Sequence, residues 1–194
     1  MQAIKAAVFG VANVLDCYAI DNPTGATVNK GSTSYPMLPH SLYVAVVGGI
    51  DADIAEAIWL KKDTGCDYNG NTPVTVLDTV NYSIPYPSYV VKFNRPTSTP
   101  VLFAVSIVNS PTLPADIVTL IQNAIIAQFN GAAPARIGAA ITGSSYYGAV
   151  IGVAPGITAL SVLVGVISPT LPQVIVGIDQ APVISAGDIT VALV

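Results

Sequence analysis

The sequence predicts an α+β fold of short helices and mixed sheets, on three observations. Two apolar runs, "SLYVAVV" at 41–47 and "VLFAVSIVN" at 101–109, are continuous enough for strands buried on both faces. Each is followed by a stretch with helical spacing. Between and after them, Pro, Gly and Asn punctuate segments of strand length. At 194 residues the chain is read as a single domain over 1–194.

Taken in order, residues 2–10 form a short amphipathic helix and "VLDCYAI", 14–20, a strand. Residues 21–40 are rich in Asn, Pro, Gly, Ser and Thr and read as a long exposed connection. After the buried strand 41–47, Asp51 is expected to cap a helix over roughly 52–62 by accepting the free amides of its first turn. Asp53 suits the positive end of that helix, Lys61-Lys62 the negative end, and Ile54, Ala57 and Ile58 its inner face. Asn69-Gly70 is a tight-turn signal. Strands near 73–77, 80–84 and 88–93 then make 65–98 a hairpin-rich excursion.

After the strand at 101–109, the clearest helix in the chain follows. Ile117, Leu120, Ile121, Ala124, Ile125 and Phe129 line one face, and Asn130-Gly131 ends it. A strand near 137–142, a helix near 144–153 and strands near 157–166, 173–178 and 188–193 complete the chain. An internal echo runs through this order. "AVFGVAN-VLDCYAI" from Ala7 resembles "AVIGVAPGITALSVLV" from Ala149, and Leu42–Lys62 matches Val101–Phe129 as strand then helix. Either two related half-units are present, or residues as common as Ala, Val and Gly coincide.

Charge is scarce. Seven Lys+Arg and eleven Asp+Glu make 9% of the chain, against about 25% in ordinary soluble domains. On a compact monomer of this mass that is about one charge per 480 Å² of surface. Two readings fit: a β-rich domain with a Ser, Thr, Asn and Gly surface, or a subunit largely covered by neighbours. With net charge −4 and Lys61-Lys62 the only adjacent basic pair, nucleic-acid binding is not expected. Cys17 and Cys66 have no metal-ligand spacing and read as two free thiols, a disulfide being the alternative. The first residues, with one Lys and a short apolar stretch, are not expected to act as a signal peptide. The uncharged stretch from Arg136 to Asp179 is long enough to span a membrane, but Pro155-Gly156 breaks it and flanking anchors are absent, so helix, turn and strand are read there.

Chemistry is sparse too. His40, the only histidine, precedes a strand in a Pro-rich segment and has no second His with which to share a metal. Glu56 is the only glutamate; Asp51 and Asp53 are explained by helix-start electrostatics, and Asp63, Asp67 and Asp78 by turns. "ITGSSYYG" is no nucleophile elbow, and no His follows it to act as base. Gly48-Gly49 could begin a phosphate loop, yet GxGxxG and GK[ST] patterns are missing and Asp51 and Asp53 would repel an anion. It reads as a backbone corner. No catalytic, cofactor-binding or metal-binding residue is singled out, and an enzyme is not expected.

The ordered set "HSLYVAVVGGIDADIAEAIWLKKDTGCDYNGNTPVTVLD", "YVVKFNRPTSTPVLFAVSIV" and "GVAPGITALSVLV" resembles the baseplate J-like family, the wedge proteins of contractile phage tails and related particles. The matching features are the strand ending in Gly48-Gly49, the helix with Ile54-Ala55, the Lys62 to Gly65 exit, Gly70 and Phe93-Asn94-Arg95-Pro96. Pro155-Gly156-Ile157 and the terminal "DITVALV" also fit. The likeness covers nearly all of the chain; its specificity lies in the order, not in any one motif. Family members are usually longer, so a preceding N-terminal part is expected to be missing here. The resemblance implies a virion structural protein, made in the bacterial host cytoplasm. It would pack as wedges around the tail tube against copies of itself, other wedge subunits and a small lysozyme-like wedge protein. It implies no cofactor, nucleic acid or membrane insertion. A surface or ligand-binding module using 21–40 and 65–98 is the competing expectation.

Overall fold

The computed structural model describes residues 1–62, 65–131 and 134–194. The architecture is α+β, with four helices and fourteen strands in several small sheets among the described residues. The chain forms two compact units, unit 1 from Met1–Thr97 with Gly177–Gln180 and unit 2 from Ser98–Val176 with Ala181–Val194.

Unit 1 opens with α1 (Gln2–Phe9), which ends at Gly10 and turns into β1 (Val14–Asn22). Segment 21–40, expected as an exposed connection, instead carries an antiparallel pair, β2 (Val28–Lys30) with β3 (Tyr35–Met37). Hydrogen bonds stitch it. The Asn22 amide donates to Ala26 O at 2.8 Å, Met37 O at 3.1 Å and Leu38 O at 2.9 Å, and Asn69 Nδ2 donates to Pro36 O at 3.0 Å.

The centre of unit 1 is β4 (Ser41–Gly48), whose residues 41–46 are all buried, as the unbroken apolar run predicts. The helix after it is shorter than expected, α2 (Asp51–Trp59), with Ile50 as its N-cap and no side-chain cap. Asp51 is therefore no cap; its carboxylate is drawn to Arg95 instead. Lys61 and Lys62 lie beyond the last turn, and Ile54, Ala55 and Ile58 are the buried face, with Ala57 half-buried.

Next, β5 (Asp67–Asn69) runs parallel to β4, giving the sheet order β1-β4-β5. The hairpin of β6 (Thr72–Leu77) and β7 (Ser88–Phe93) follows. The strand expected near 80–84 is not formed; those residues are the hairpin's turn, where the Asp78 carboxylate binds Asn81. The unit 1 core gathers Val8, Cys17, Val44, Val46, Ile54 and Phe93.

The chain crosses to unit 2 along β8 (Thr97–Pro100) and enters β9 (Leu102–Ile107). Unlike β4, β9 is not buried on both faces. Phe103, Val105 and Ile107 are buried while Leu102, Ala104 and Ser106 are half-exposed, the period of two of a strand with one inner face. Helix α3 (Ile117–Phe129) covers that face with Ile117, Ile121, Ile125 and Phe129, a stripe at i+4 spacing that leaves Leu120 and Ala124 half-buried. The Phe103 ring meets Phe129 edge-on at 6.4 Å and Tyr146 at 4.8 Å.

Then come β10 (Ala140–Thr142), a 3-10 turn at Gly143–Tyr146, α4 (Tyr147–Ile151) and β11 (Ala159–Gly165). The last strands are β12 (Gln173–Ile175), β13 (Gln180–Val183) and β14 (Ile189–Leu193). The sheet order here is β11-β9-β14.

The echo in the sequence has a structural counterpart within each unit. In both, the central strand has an antiparallel partner on one side and a parallel partner on the other: β1 and β5 beside β4, β11 and β14 beside β9. The antiparallel partner is entered each time from a helix ending at a glycine of nearly equal conformation, Gly10 (φ −75°) and Gly152 (φ −75°). Each of those strands also carries a bulge at its start, between Val14 and Asp16 and between Ala159 and Ser161.

Candidate functional site

The Gly48-Gly49 corner is built for close backbone approach. Both glycines have positive φ, 77° and 70°, and a Cβ on Gly48 would lie 2.2 Å from Asn13 O. Three carbonyls of this region turn toward one guanidinium. Arg95 Nη1 donates to Val46 O at 3.1 Å and Gly48 O at 2.6 Å, and Nη2 to Gly49 O at 2.9 Å. Its Nε and Nη2 also reach Asp51 Oδ1, at 3.0 and 2.5 Å. A phosphate cradle offers amide hydrogens to an anion, whereas these acceptor oxygens are already held by a cation. The arrangement fastens the strand-to-helix corner. Sequence reasoning had Arg95 only as part of a motif; its partners lie 44 to 49 positions away, beyond the reach of local patterns.

A pocket of about 290 Å³ lies elsewhere in unit 1, lined among others by Asp21, Asn22, His40, Ser41 and Cys66. It gathers the residue types of nucleophilic catalysis, but the hydrogen bonds run otherwise. Ser41 Oγ donates to Leu38 O at 2.6 Å, so its proton sits on a carbonyl and not on an imidazole. His40 is exposed, at φ +47°, and its backbone ties the region together: its amide donates to Thr24 O and its carbonyl accepts from Asp67 N. Among the described residues no three His, Cys, Asp or Glu side chains come together as metal ligands.

The remaining acidic residues are dispersed. Glu56, Asp53 and Asp67 are exposed, and Asp63 lies outside the described residues. Asp78 is buried and accepts the Asn81 backbone amide at 3.0 Å and the side-chain amide at 3.1 Å. The Asn81 amide holds the Asp78 carboxyl below its ordinary range. Ser144 and Ser145 are exposed on the 3-10 turn. Cys17 and Cys66 are not joined in a disulfide. Burial pushes Cys17 up to about 12, so it is a poor nucleophile near neutrality.

What the two units do present is exposed apolar surface. At the turn of the β6–β7 hairpin, Val80, Tyr82, Ile84 and Tyr86 are all exposed. In unit 2, Ile151, Leu160, Ile167, Leu171 and Ile175 are each more than half exposed. That unit holds only three charged side chains, Asp116, Arg136 and Asp188, in 93 residues, leaving fifteen of the eighteen to unit 1. Among the described residues no helix is long and apolar enough to cross a membrane. Compared with models of known protein families and with curated proteins, the chain matches none.

Proposed function

We propose that the chain is a structural subunit of a contractile-tail baseplate, assembling as wedges around the tail tube of a phage or phage-like particle. The observation that carries this reading is the surface of unit 2, nearly free of charge yet studded with exposed aliphatic side chains. A freely diffusing domain stays soluble by interspersed charge, while the core of an interface is depleted in it. The resemblance of the ordered motifs to the baseplate J-like family adds the kind of assembly. Its partners are other wedge subunits, copies of itself and a small lysozyme-like wedge protein; its location is the virion. Tandem mass spectrometry of tail particles purified from the source tests this. Stoichiometric presence of the chain in tail particles is expected, and its absence from intact particles overturns the proposal.

A second reading has its own observation. The aromatic turn of the β6–β7 hairpin, whose one carboxylate is buried against Asn81, fits a module that touches a ligand at the particle surface. Glycan-array binding lost in Tyr82→Ser and Tyr86→Ser would favour it.

A further inference from the structure

A cavity of about 280 Å³ lies within unit 2, bounded by the C-terminal end of α3, by β10 and by the 3-10 turn that follows β10. Its walls include Ala135 and Ile141, and its polar side chains are Gln128, Thr142, Ser145 and Tyr146. Among the described residues no charged side chain lines it. Pockets for small ligands begin at about 300 Å³, so this one suits a single compact group.

Tyr146 gives the cavity its chemistry. The residue is only 7% exposed, and its ring is held in the core against Phe103 at 4.8 Å. Its hydroxyl has no hydrogen-bond partner among the described residues, where a buried phenol ordinarily has one. No sealed side-chain oxygen or nitrogen of those residues goes unpartnered. The phenol oxygen is therefore not enclosed; it opens on the cavity that Tyr146 lines. Burial raises the Tyr146 phenol, which keeps it a neutral donor near neutral pH.

Gln128 supplies the complement. Its Nε2 donates to Ser145 O at 2.7 Å, which fixes the orientation of the amide. Its Oε1, which can only accept, is left without a partner among the described residues. The surrounding backbone is held firmly. Ile141 pairs with Val174 across β10 and β12, and Gly143 N donates to Pro172 O at 2.8 Å. A Cβ on Gly143 would lie 2.0 Å from Val162 O, so glycine lets the turn that carries Ser145 and Tyr146 sit tight against β11. A preformed site costs its ligand little ordering.

We infer that this cavity binds the acetamido group of an N-acetylated amino sugar. The Tyr146 hydroxyl donates to the amide carbonyl, Gln128 Oε1 accepts the amide N–H, and the methyl packs on Ala135 and Ile141. A neutral amide answers both free atoms at once, whereas an ion would enter an uncharged lining without a counter-charge. Half-buried Thr142 and exposed Ser145 add hydroxyls suited to those of a sugar ring, for which the aliphatic stem of an acetylated lysine has no use. The site lies beyond the assembly reading and does not depend on it.

Saturation-transfer NMR on the full chain tests this with N-acetylglucosamine as the probe. Transfer should be strongest at the acetyl methyl, with a dissociation constant on the order of 1 mM for so small a ligand. Acetamide should compete; glucose, which lacks the amide, should bind at least about tenfold more weakly. Tyr146→Phe removes one oxygen and keeps the ring, and it should weaken binding about fivefold to tenfold. Gln128→Ala, at an exposed helix position, should do the same and serves if the first variant disturbs the core; circular dichroism checks both folds. No transfer at a probe concentration on the order of 10 mM overturns the inference, as does affinity unchanged in a folded Tyr146→Phe. Acetate has the shape of acetamide with a charge, and its binding in preference would overturn the neutral site. Nε-acetyl-lysine methyl amide that binds as tightly as the sugar would overturn the sugar assignment.

Discussion

Units 1 and 2 solve one backbone problem with different chemistry. Each must turn the chain away after the central strand of a three-stranded sheet whose neighbours run antiparallel on one side and parallel on the other. Unit 1 does so with two glycines, a guanidinium that collects three carbonyls, and an Asp51–Arg95 ion pair. Unit 2 does so without a charged group: Val108 N donates to Thr158 O at 2.9 Å and Asn109 N to Val194 O at 2.8 Å, and the Ser110 and Thr112 hydroxyls pair at 2.9 Å. The frame does not demand charge. The same frame accepts a charged corner in one unit and an uncharged one in the other.

The comparison breaks most decisively if the two cores are not independent. No buried residue belongs to both clusters. Phe103→Ala, which empties the centre of the unit 2 core, should destabilise that unit by about 3–5 kcal/mol. Hydrogen exchange should then show β9, β11 and α3 amides losing protection while the Cys17 thiol, buried in unit 1, stays unreactive to a thiol reagent. Phe93→Ala should give the mirror result and expose Cys17. Labelling of Cys17 that accelerates in step with loss of the unit 2 core would show a single cooperative block.

A smaller effect is expected at the corner. Arg95→Ala removes the donors of three carbonyls and leaves Asp51 without its guanidinium, which should destabilise unit 1 by about 2–4 kcal/mol. The ion pair itself supplies little of this, because Asp51 is 51% and Arg95 29% exposed. Adding salt should accordingly shift the unit 1 transition only slightly. Arg95→Lys should recover only part of the loss, since a point donor cannot span three acceptors in a fixed fork. Denaturant melts of the three proteins, followed by exchange of the β4 amides, check the order.

Alkaline pH should separate the units more gently. In unit 1 burial raises Cys17 from 9.0 to about 12 and Tyr68 from 10.0 to about 12, and it raises Tyr35 and Tyr43 also; in unit 2 it raises Tyr146. A folded-state value above the unfolded one means that the unfolded chain gives up its proton first. Stability is thus whole below pH 9 and falls as pH climbs toward 12, where the folded groups ionise. With four such groups against one, unit 1 should lose exchange protection before unit 2 as pH passes about 10. The reverse order would mean that corner and core outweigh proton linkage.

How much of this was legible depended on whether the signal was local. β4 and α3 follow from apolar periodicity alone, and the paired half-units from the echo between residues 7–20 and 149–164. The strands β2, β3 and β5 carry no apolar pattern, because Asn, Asp, Tyr and Pro interrupt it; Asn22 and Asn69 hold them through bonds to carbonyls distant in sequence. Asp51 looked like a cap because acidic residues at helix starts usually are, and an arginine 44 positions on changes its partner. The bulges that expose Leu15 and Leu160 are invisible to period counting, since a bulge is one residue out of step.

The smallest predicted effect concerns a part of unit 1 without a counterpart in unit 2, the turn of the β6–β7 hairpin. Asp78 takes three hydrogen bonds from Asn81, and its amide donates to Pro87 O at 3.0 Å. The Asn81 backbone amide holds its carboxyl below the ordinary aspartate value of 3.8, so the bonded carboxylate supports the turn above that pH and the support fades as pH falls through the folded value. Amide exchange of residues 78–87 should therefore quicken on acidification below about pH 4 while β4 and β9 keep their protection. Asp78→Asn should leave the turn equally loose at neutral pH and remove the acid step. If the wild-type turn were insensitive to acid, the order of the four exposed apolar side chains it carries would rest on packing and not on this carboxylate.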